Sequence, residues 1–539
     1  MSSSELAAGD GSVDSKKPKK SKGFFHSVTS YASKAVGTVH NGISSGISSV
    51  FNIGNEDMEV TAPDGGEGDA ASEAGKGRFK KEEQSQLWTM MHKYIGADVT
   101  SLVTLPVFLF EPMTTLQKMA ELMEYTDLLN RAAVEKDPYV KLALSVGWAL
   151  SPYYAYQRTW KPFNPILGET YELTGYNNID YIAEQVTHHP PMGVAHAEHP
   201  LWTYDCISKL KTKFMGNYLD VTPTGQTRVR FRETGEVLDL VPPMTKVHNL
   251  IVGRTWVDSY GDMVLTNMKT NDVCVLNFKA CGWFGSGRHE VSGYVENAAG
   301  EKKLYIWGKW TKAVWYKACK PDGEPIEGAE EVLIWKLAEV PKNDKYDYTY
   351  FAHLLNSFDT APKPVLASDG RIRGDRLALE RGNTKKAGSD KTKLEERQRY
   401  ERREREARGE EWTPRWFRPT GETACDGELP IFEFTGTYTE RVAAIKSGQL
   451  KDGLVLTEEE DPSDKYSPWQ YKAPEEVELL GASNPDHNLS SSSLTESLKP
   501  VDSQKSDPVL SGGGVRPVVK PGLIDPAAID AVVSKKAVG

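Results

Sequence analysis

Two adjacent histidines, His188 and His189, are followed at once by two prolines. An imidazole can donate hydrogen bonds to an anion, and its ordinary pKa near ~6.5 lets a phosphate favour the charged form. Because proline pushes the residue before it out of the α region, His189 is expected to be extended, with the two rings on opposite faces. That geometry argues against one metal ion between them. The pair therefore predicts a phosphate site, and the alternative is a rigid strand end with satisfied core histidines.

Neither metal nor enzyme chemistry is indicated elsewhere. The sequence lacks the histidines on one helical face and the clustered cysteines that are typical of zinc sites. A histidine general base would need a nucleophile and an oxyanion site, yet neither a Gly-x-Ser-x-Gly motif nor an acidic dyad stands in a suitable context. We therefore expect no metal, no cofactor and no enzymatic activity.

The histidine pair belongs to a longer block, Glu184-Gln185-Val186-Thr187-His188-His189-Pro190-Pro191. With threonine in place of the more usual serine, this block resembles the fingerprint of the oxysterol-binding protein family. Three further blocks resemble that family's other signatures and follow the same order: residues 161–169 (KPFNPILGE), 391–399 (KTKLEERQR) and 411–417 (EWTPRWF). The likeness runs from about Leu102 to Phe417 and is greatest to short, plant-type members without a pleckstrin-homology domain.

The resemblance implies a mainly β fold with some α structure. Its centre would be a large, nearly closed antiparallel β-barrel around a lipid tunnel, with an N-terminal lid or helical segment near Trp88 to Leu105 and a C-terminal helical region. It implies sterol and phosphatidylinositol 4-phosphate as bound lipids. By the same resemblance, the phosphoinositide headgroup would bind at Lys161, Asn164, His188, His189, Lys391, Glu395 and Arg399, with Glu395 orienting the two bases beside it.

Composition divides the 539 residues into three parts. The ends are rich in Ser, Gly and Lys, whereas the aromatic residues fall almost wholly between Phe79 and Tyr471. We predict a disordered leader over 1–83, one lipid-binding domain over 84–476 and a disordered tail over 477–539.

Charge and cysteine usage narrow the function further. A net charge of −10 argues against a general nucleic-acid binder. The five cysteines are scattered and contain no Cys-x-x-Cys, which indicates reduced thiols. The sequence also lacks a signal core and a run of eighteen apolar residues. We expect a cytoplasmic protein that is peripheral on intracellular membranes such as the endoplasmic reticulum, the Golgi or their contact sites. A receptor on the endoplasmic reticulum is a further possible partner, for which the sequence shows no motif.

A second candidate for membrane contact lies in the leader. Apolar residues recur at helical spacing from Phe24 to Phe51, opposite a face of Ser, Thr, Gly and Asn on which Lys34 is the single charge. This pattern favours a helix that senses lipid-packing defects, since its glycines disfavour a helix in water. A Ser-rich leader, or a helix packed on the protein itself, is the alternative. The candidate membrane contacts are Phe24, Phe25, Val28, Val39, Ile43, Ile47 and Phe51.

The elements that must position these residues can also be outlined. Helical spacing occurs from Leu116 to Ala132 and again over Val140 to Leu150, and many short strands are expected from about Gly168 to Trp335. The segment Gly282 to Arg288 is predicted to be a turn between strands. A charged helix is expected over Asp390 to Glu411, and the segment from Phe434 to Tyr471 should pack on the core.

These features together predict a lipid-transfer protein that extracts and exchanges single lipids between membranes. The alternative is a lipid-regulated sensor or scaffold that binds lipid without net transport.

Overall fold

The computed structural model describes residues 88–89, 91–99, 105–424, 427–450, 453–455 and 461–471. The predicted amphipathic helix and the predicted C-terminal tail lie outside these ranges. Of the helices that the structure describes, none is both long and apolar enough to cross a bilayer. The four described cysteines, Cys206, Cys274, Cys281 and Cys319, are free thiols.

Fourteen strands form one large antiparallel sheet. They are β3 (Thr170–Tyr176), β4 (Ile179–His188), β5 (Pro191–Glu198), β6 (Trp202–Phe214), β7 (Tyr218–Pro223), β8 (Gln226–Phe231), β9 (Val237–Val241), β10 (Met244–His248), β11 (Trp256–Asn267), β12 (Val273–Phe278), β13 (Glu290–Glu296), β14 (Lys302–Lys309), β15 (Ala313–Ala318) and β16 (Val332–Lys336). Two small sheets pair β1 (Phe110–Thr114) with β2 (Lys161–Phe163), and β17 (Phe417–Ala424) with β18 (Leu429–Phe434). The predicted strand region from Gly168 to Trp335 is confirmed.

Two long strands close part of this sheet into a ring. Strand β6 pairs with β8 through its first half and with β7 through its second. Strand β11 likewise pairs with β10 and then with β9. Because β7 joins β10 and β8 joins β9, two routes of hydrogen bonds connect β6 to β11, while β3 and β16 form the two ends of the sheet order. The predicted nearly closed antiparallel barrel is confirmed.

The α-helices that the structure describes from end to end are α1 (Thr115–Ala120), α2 (Thr126–Val134), α3 (Pro138–Leu150), α4 (Tyr153–Gln157), α5 (Tyr350–Leu354), α6 (Gly374–Glu380), α7 (Thr384–Arg408) and α8 (Thr437–Lys446). Helix α3 begins where Asp137 accepts hydrogen bonds from the backbone N–H groups of Tyr139 and Val140. From Lys141 to Leu150 every residue is buried, since strands β11 to β14 and β16 pack against the helix. The helix predicted over Val140 to Leu150 therefore forms the core of the barrel rather than a surface layer.

The predicted charged helix is also present, with different ends. It begins at Thr384, where the Asn383 side chain caps the backbone N–H of Lys386, and it ends before Gly409 in the left-handed region. Its predicted i, i+4 ion pairs form: Glu395 to Arg399 at 3.8 Å and Glu404 to Arg408 at 3.2 Å.

Candidate anion-binding pocket

A pocket of 680 Å³ lies between β2, the turn joining β4 to β5, and α7. Its lining includes all seven residues that the family resemblance implied for the headgroup: Lys161, Asn164, His188, His189, Lys391, Glu395 and Arg399. Five of the seven are basic or imidazole side chains from three separate parts of the chain. The fold therefore gathers the predicted residues into one cavity.

The two histidines meet at the turn between β4 and β5. Strand β4 ends at His188 and β5 begins at Pro191, so that His189 and Pro190, joined by a cis peptide bond, form the turn. The ring centroids are 4.7 Å apart with the planes at 74°. The expectation that the rings face opposite sides was wrong, because the chain reverses at His189 instead of continuing as a strand.

The His188 imidazole is positioned to bind a polar ligand. Its Nδ1 is buried and has no hydrogen-bond partner among the described residues. Burial, followed by the charges of His189, Arg402 and Arg399, lowers the pKa of His188 to about 4. The ring is therefore neutral near pH 7, and an arriving anion would raise its pKa.

The Lys161 side chain is oriented by its own loop. Its Nζ donates a 2.5 Å hydrogen bond to Oδ1 of Asn164, three residues later. Burial, followed by the positive charge of Lys391, lowers the pKa of Lys161 to about 7. Holding a second positive charge beside Lys391 costs free energy when no anion is bound. An anionic ligand would offset that cost.

One face of α7 supplies the other bases. The carboxylate of Glu395 accepts a 2.6 Å hydrogen bond from Nζ of Lys391 and lies 3.8 Å from Nη2 of Arg399. Lys391 is buried, whereas the Arg399 side chain is 59% exposed. Glu395 therefore stands between the two bases, where it can orient both.

Buried carboxylates hold the walls of the pocket together. Arg373 donates to the backbone oxygen of Asn164 and to Oε2 of Glu169, each at 2.8 Å. Glu184, in the histidine block, accepts hydrogen bonds from the backbone N–H groups of Arg415 and Trp416. The contacts of Glu184 join two of the four sequence blocks on which the resemblance was based. Within the described ranges no cluster of three or more His, Cys, Asp or Glu side chains could hold a metal ion.

Sequence reasoning missed part of the lining. Gln398, Glu401, Arg402, Arg405 and Glu406 extend the pocket along α7, and Trp412 also lines it. Arg402 follows Lys391, Glu395 and Arg399 at helical spacing, so the face of α7 could have been extended one turn from sequence alone. The sequence predicted that the segment described next packs on the core, but it did not indicate that this segment lines the pocket.

The remaining wall is a C-terminal strap, residues 461–471, of which Pro468, Trp469 and Gln470 line the pocket. The buried carboxylate of Glu401 accepts hydrogen bonds from the backbone N–H groups of Gln470 and Tyr471, at 3.1 and 3.2 Å, and from Arg397 at 2.8 Å. The prediction that Phe434 to Tyr471 packs on the core is thus confirmed for its described part.

Comparison with known proteins agrees with the geometry. The family model of the oxysterol-binding proteins matches residues 86–443. Oxysterol-binding protein-related protein 3B of Arabidopsis thaliana is 53% identical over 455 residues, which are 81% of this chain and 98% of that protein. Human oxysterol-binding protein-related protein 1 is 34% identical over 396 residues, covering 66% of this chain and 41% of its own.

Solved structures with the same fold contain bound lipids. The Osh1 ORD domain in complex with cholesterol superposes with a TM-score of 0.60 at 32% identity, covering 68% of this chain and 89% of that one. The Osh3 ORD of Saccharomyces cerevisiae in complex with PI(4)P gives 0.56 at 27% identity, covering 68% and 94%.

Proposed function

The chain belongs to the oxysterol-binding protein family, and from that premise we propose that it extracts single lipids from one membrane and delivers them to another. The proposed lipids are phosphatidylinositol 4-phosphate, with its headgroup in the anion-binding pocket, and a sterol. The proposed site is Lys161, Asn164, His188, His189, Lys391, Glu395 and Arg399. The protein would act as a carrier and not as an enzyme, in the cytoplasm and at the surfaces of intracellular membranes.

The observation that carries the proposal is the meeting of five cationic or imidazole side chains around one cavity. Each hydrogen bond to a charged phosphate contributes roughly 1.5–3 kcal/mol. Two or three such bonds discriminate strongly against a headgroup without a phosphomonoester. A sterol makes none of these contacts, so the cluster would select the phosphoinositide without hindering the other lipid.

The lipid tails require a separate source of affinity. Moving an acyl chain of ~18 carbons into water costs on the order of 14 kcal/mol at ~0.8 kcal/mol per methylene. An apolar tunnel within the barrel would remove most of that cost. One related structure is a complex with cholesterol and another is a complex with PI(4)P, which supports a shared carrier fold for the two lipids.

A sensor or scaffold that binds lipid without transporting it is the second candidate. A two-membrane assay separates the two functions: donor liposomes contain a labelled phosphoinositide or sterol, and acceptor liposomes report its arrival. A carrier moves lipid catalytically in both directions, whereas a scaffold binds one lipid per chain and moves none. Mass spectrometry of the co-purifying lipid would identify the second ligand.

A further inference from the structure

The most exposed aromatic side chains among the described residues are adjacent. Trp283 and Phe284 are 89% and 88% exposed, at the tip of the loop that joins β12 to β13. Phe284 has φ of 62°, in the left-handed region that glycine favours and a bulky side chain rarely adopts. Neither burial nor backbone conformation therefore favours these residue types here. Exposed aromatics maintained at some conformational cost indicate a binding role.

The loop is fixed at its base. The backbone N–H of Cys281 donates a 2.9 Å hydrogen bond to Oδ2 of Asp258 in β11. The guanidinium carbon of Arg288 lies 5.2 Å from the ring centroid of Trp256. Within the loop, the N–H of Gly282 donates to the carbonyl oxygen of Ser286 at 2.8 Å. The aromatic pair thus projects from an anchored turn.

Strand register places this loop at the same end of the sheet as the histidine turn. Strand β5 begins beside the second half of β6, where Met192 pairs with Lys209, and β6 then runs on to Phe214. In the hairpin after β6, the Asn217 side chain accepts hydrogen bonds from the backbone N–H groups of residues 251 and 252, which precede β11. The start of β11 in turn anchors the aromatic loop.

The neighbouring loops contribute positive charge and further apolar surface. Segments 91–99, 215–217, 249–255 and 279–289 contain four cationic side chains, Lys93, Arg254, Lys279 and Arg288, against one carboxylate, Asp98. Lys279 also forms an ion pair at 3.1 Å with Glu290, at the start of β13. The chain as a whole has a net charge of −10. Ile95 and Val252 in the same segments are 51% and 65% exposed. A cationic, apolar end on an acidic protein is complementary to an anionic lipid surface.

We propose that these four segments form a docking face for an anionic bilayer, with Trp283 and Phe284 inserted at the level of the headgroups. The Trp283 indole, with its polar N–H edge, favours that interface, and the Phe284 ring adds apolar area. Docking would bring the anion-binding pocket, at the same end of the sheet, to the layer in which phosphoinositide headgroups lie. This role of the pocket rests on the proposed function, while the docking face is a separate surface.

The test is co-sedimentation of the full chain with large vesicles, either neutral phosphatidylcholine or phosphatidylcholine with phosphatidylserine. Trp283→Ala with Phe284→Ala should weaken binding to both, roughly ten- to hundred-fold on the anionic vesicles. Lys279→Gln with Arg288→Gln should weaken binding several-fold on the anionic vesicles alone. Val134→Ala, which removes a 63% exposed side chain at the end of α2, is the matched control and should change neither. All are repeated with Val39→Asp and Ile43→Asp, which removes any contribution of the leader.

A water-soluble, short-chain phosphoinositide distinguishes docking from ligand binding. The aromatic variant should bind this ligand like the parent, since the loop does not line the pocket. Failure of the parent to bind it would refute the proposed headgroup site, and loss of vesicle binding in the aromatic variant would still support the docking face. If the aromatic variant sediments with both vesicle types like the parent, the bilayer is refuted as the occupant and the exposed pair would instead indicate a protein partner.

Discussion

Lys161 and Lys391 approach the same aromatic ring. Their Nζ atoms lie 5.1 and 5.6 Å from the ring centroid of Phe110, and both residues line the anion-binding pocket. Cation–π contact compensates part of the cost of holding two ammonium groups in a partly desolvated place. A bound phosphate would offset the remaining cost, so the affinity for the ligand should depend on pH.

Affinity for a short-chain phosphatidylinositol 4-phosphate should fall as the pH rises above about 7. Burial and Lys391 lower the pKa of Lys161 to about 7, and the bound phosphate should raise it. Above pH 7, binding of the ligand must therefore be accompanied by protonation of Lys161. This requirement lowers the affinity by up to about tenfold per pH unit. Below about pH 6 affinity should fall again, because the phosphomonoester itself becomes protonated.

Calorimetry at pH 6.5 and 8.5, in buffers of different ionisation enthalpy, measures both the affinity and the proton uptake. Lys161→Arg keeps the charge at every pH and should remove the alkaline decline. Equal affinity at both pH values without proton uptake would contradict this account of Lys161.

His188→Ala with His189→Ala should abolish extraction of phosphatidylinositol 4-phosphate and leave sterol uptake nearly intact. The buried Nδ1 of His188, which has no hydrogen-bond partner within the described part of the chain, and the adjacent His189 ring would both be lost as donors to the phosphate. Extraction from liposomes of each lipid measures the difference. His199→Ala, at the other end of β5, is the control and should change neither activity. Equal loss of both activities in a folded double variant would make the pair structural.

Lys391→Ala should weaken phosphoinositide binding more than Arg399→Ala, and Lys393→Ala should leave it unchanged. Lys391 is buried beside Glu395, the Arg399 side chain is 59% exposed, and Lys393 is 72% exposed and does not line the pocket. Losing a desolvated charged contact of ~1.5–3 kcal/mol corresponds to roughly 10- to 150-fold in affinity. Titration with the short-chain lipid ranks the three variants, and similar affinities would reduce this face of α7 to a solvated surface.

Glu395→Ala should weaken phosphoinositide binding even though it removes a negative charge from the pocket. The carboxylate lies 2.6 Å from the Lys391 ammonium and 3.8 Å from Arg399, so its loss leaves both bases without their orienting partner. Electrostatic repulsion alone predicts the opposite sign. Tighter binding by Glu395→Ala would show that the residue opposes the ligand instead of positioning its partners.

Glu401→Ala should release the C-terminal strap and weaken headgroup binding indirectly. It leaves Arg397 and two backbone N–H groups without their buried acceptor, a loss of about 3–5 kcal/mol for a buried ion pair. Hydrogen exchange over residues 466–471 should accelerate, with weaker binding of the short-chain lipid. Glu404→Ala, which removes an exposed ion pair on the same helix, is the matched control. Unchanged exchange would mean that other contacts hold the strap.

Val39→Asp with Ile43→Asp should reduce binding to small, highly curved neutral liposomes without affecting ligand uptake. These residues lie in the predicted helix from Phe24 to Phe51, whose polar face is almost uncharged and should respond to packing defects more than to anionic lipid. Flotation of the full chain and circular dichroism of the isolated peptide are the measurements. A peptide that stays unstructured with such liposomes, and a variant that floats like the parent, would leave the segment a simple leader.

Much of the site could be predicted from sequence because its residues occur in short blocks. The spacing of Lys391, Glu395 and Arg399 places them on one helical face in any α-helix, as a consequence of 3.6 residues per turn. Alternating and short apolar runs likewise located the strands from Gly168 to Trp335. Local periodicity is sufficient for such features, since each depends on neighbours within one element.

Tertiary structure decided what periodicity cannot encode. Alternation along a strand predicted opposed rings for His188 and His189, but the turn that joins β4 to β5 begins at His189, so the alternation ends at His188. The contact of Lys161 and Lys391 with one Phe110 ring depends on how β2 and α7 pack. The strap is held at the pocket through the backbone N–H groups of Gln470 and Tyr471, and backbone groups leave no signal in a sequence. The sequence by itself determined which side chains are available to bind an anion. Packing between distant elements determined that they share one cavity, because side-chain burial and strand register are properties of the whole chain.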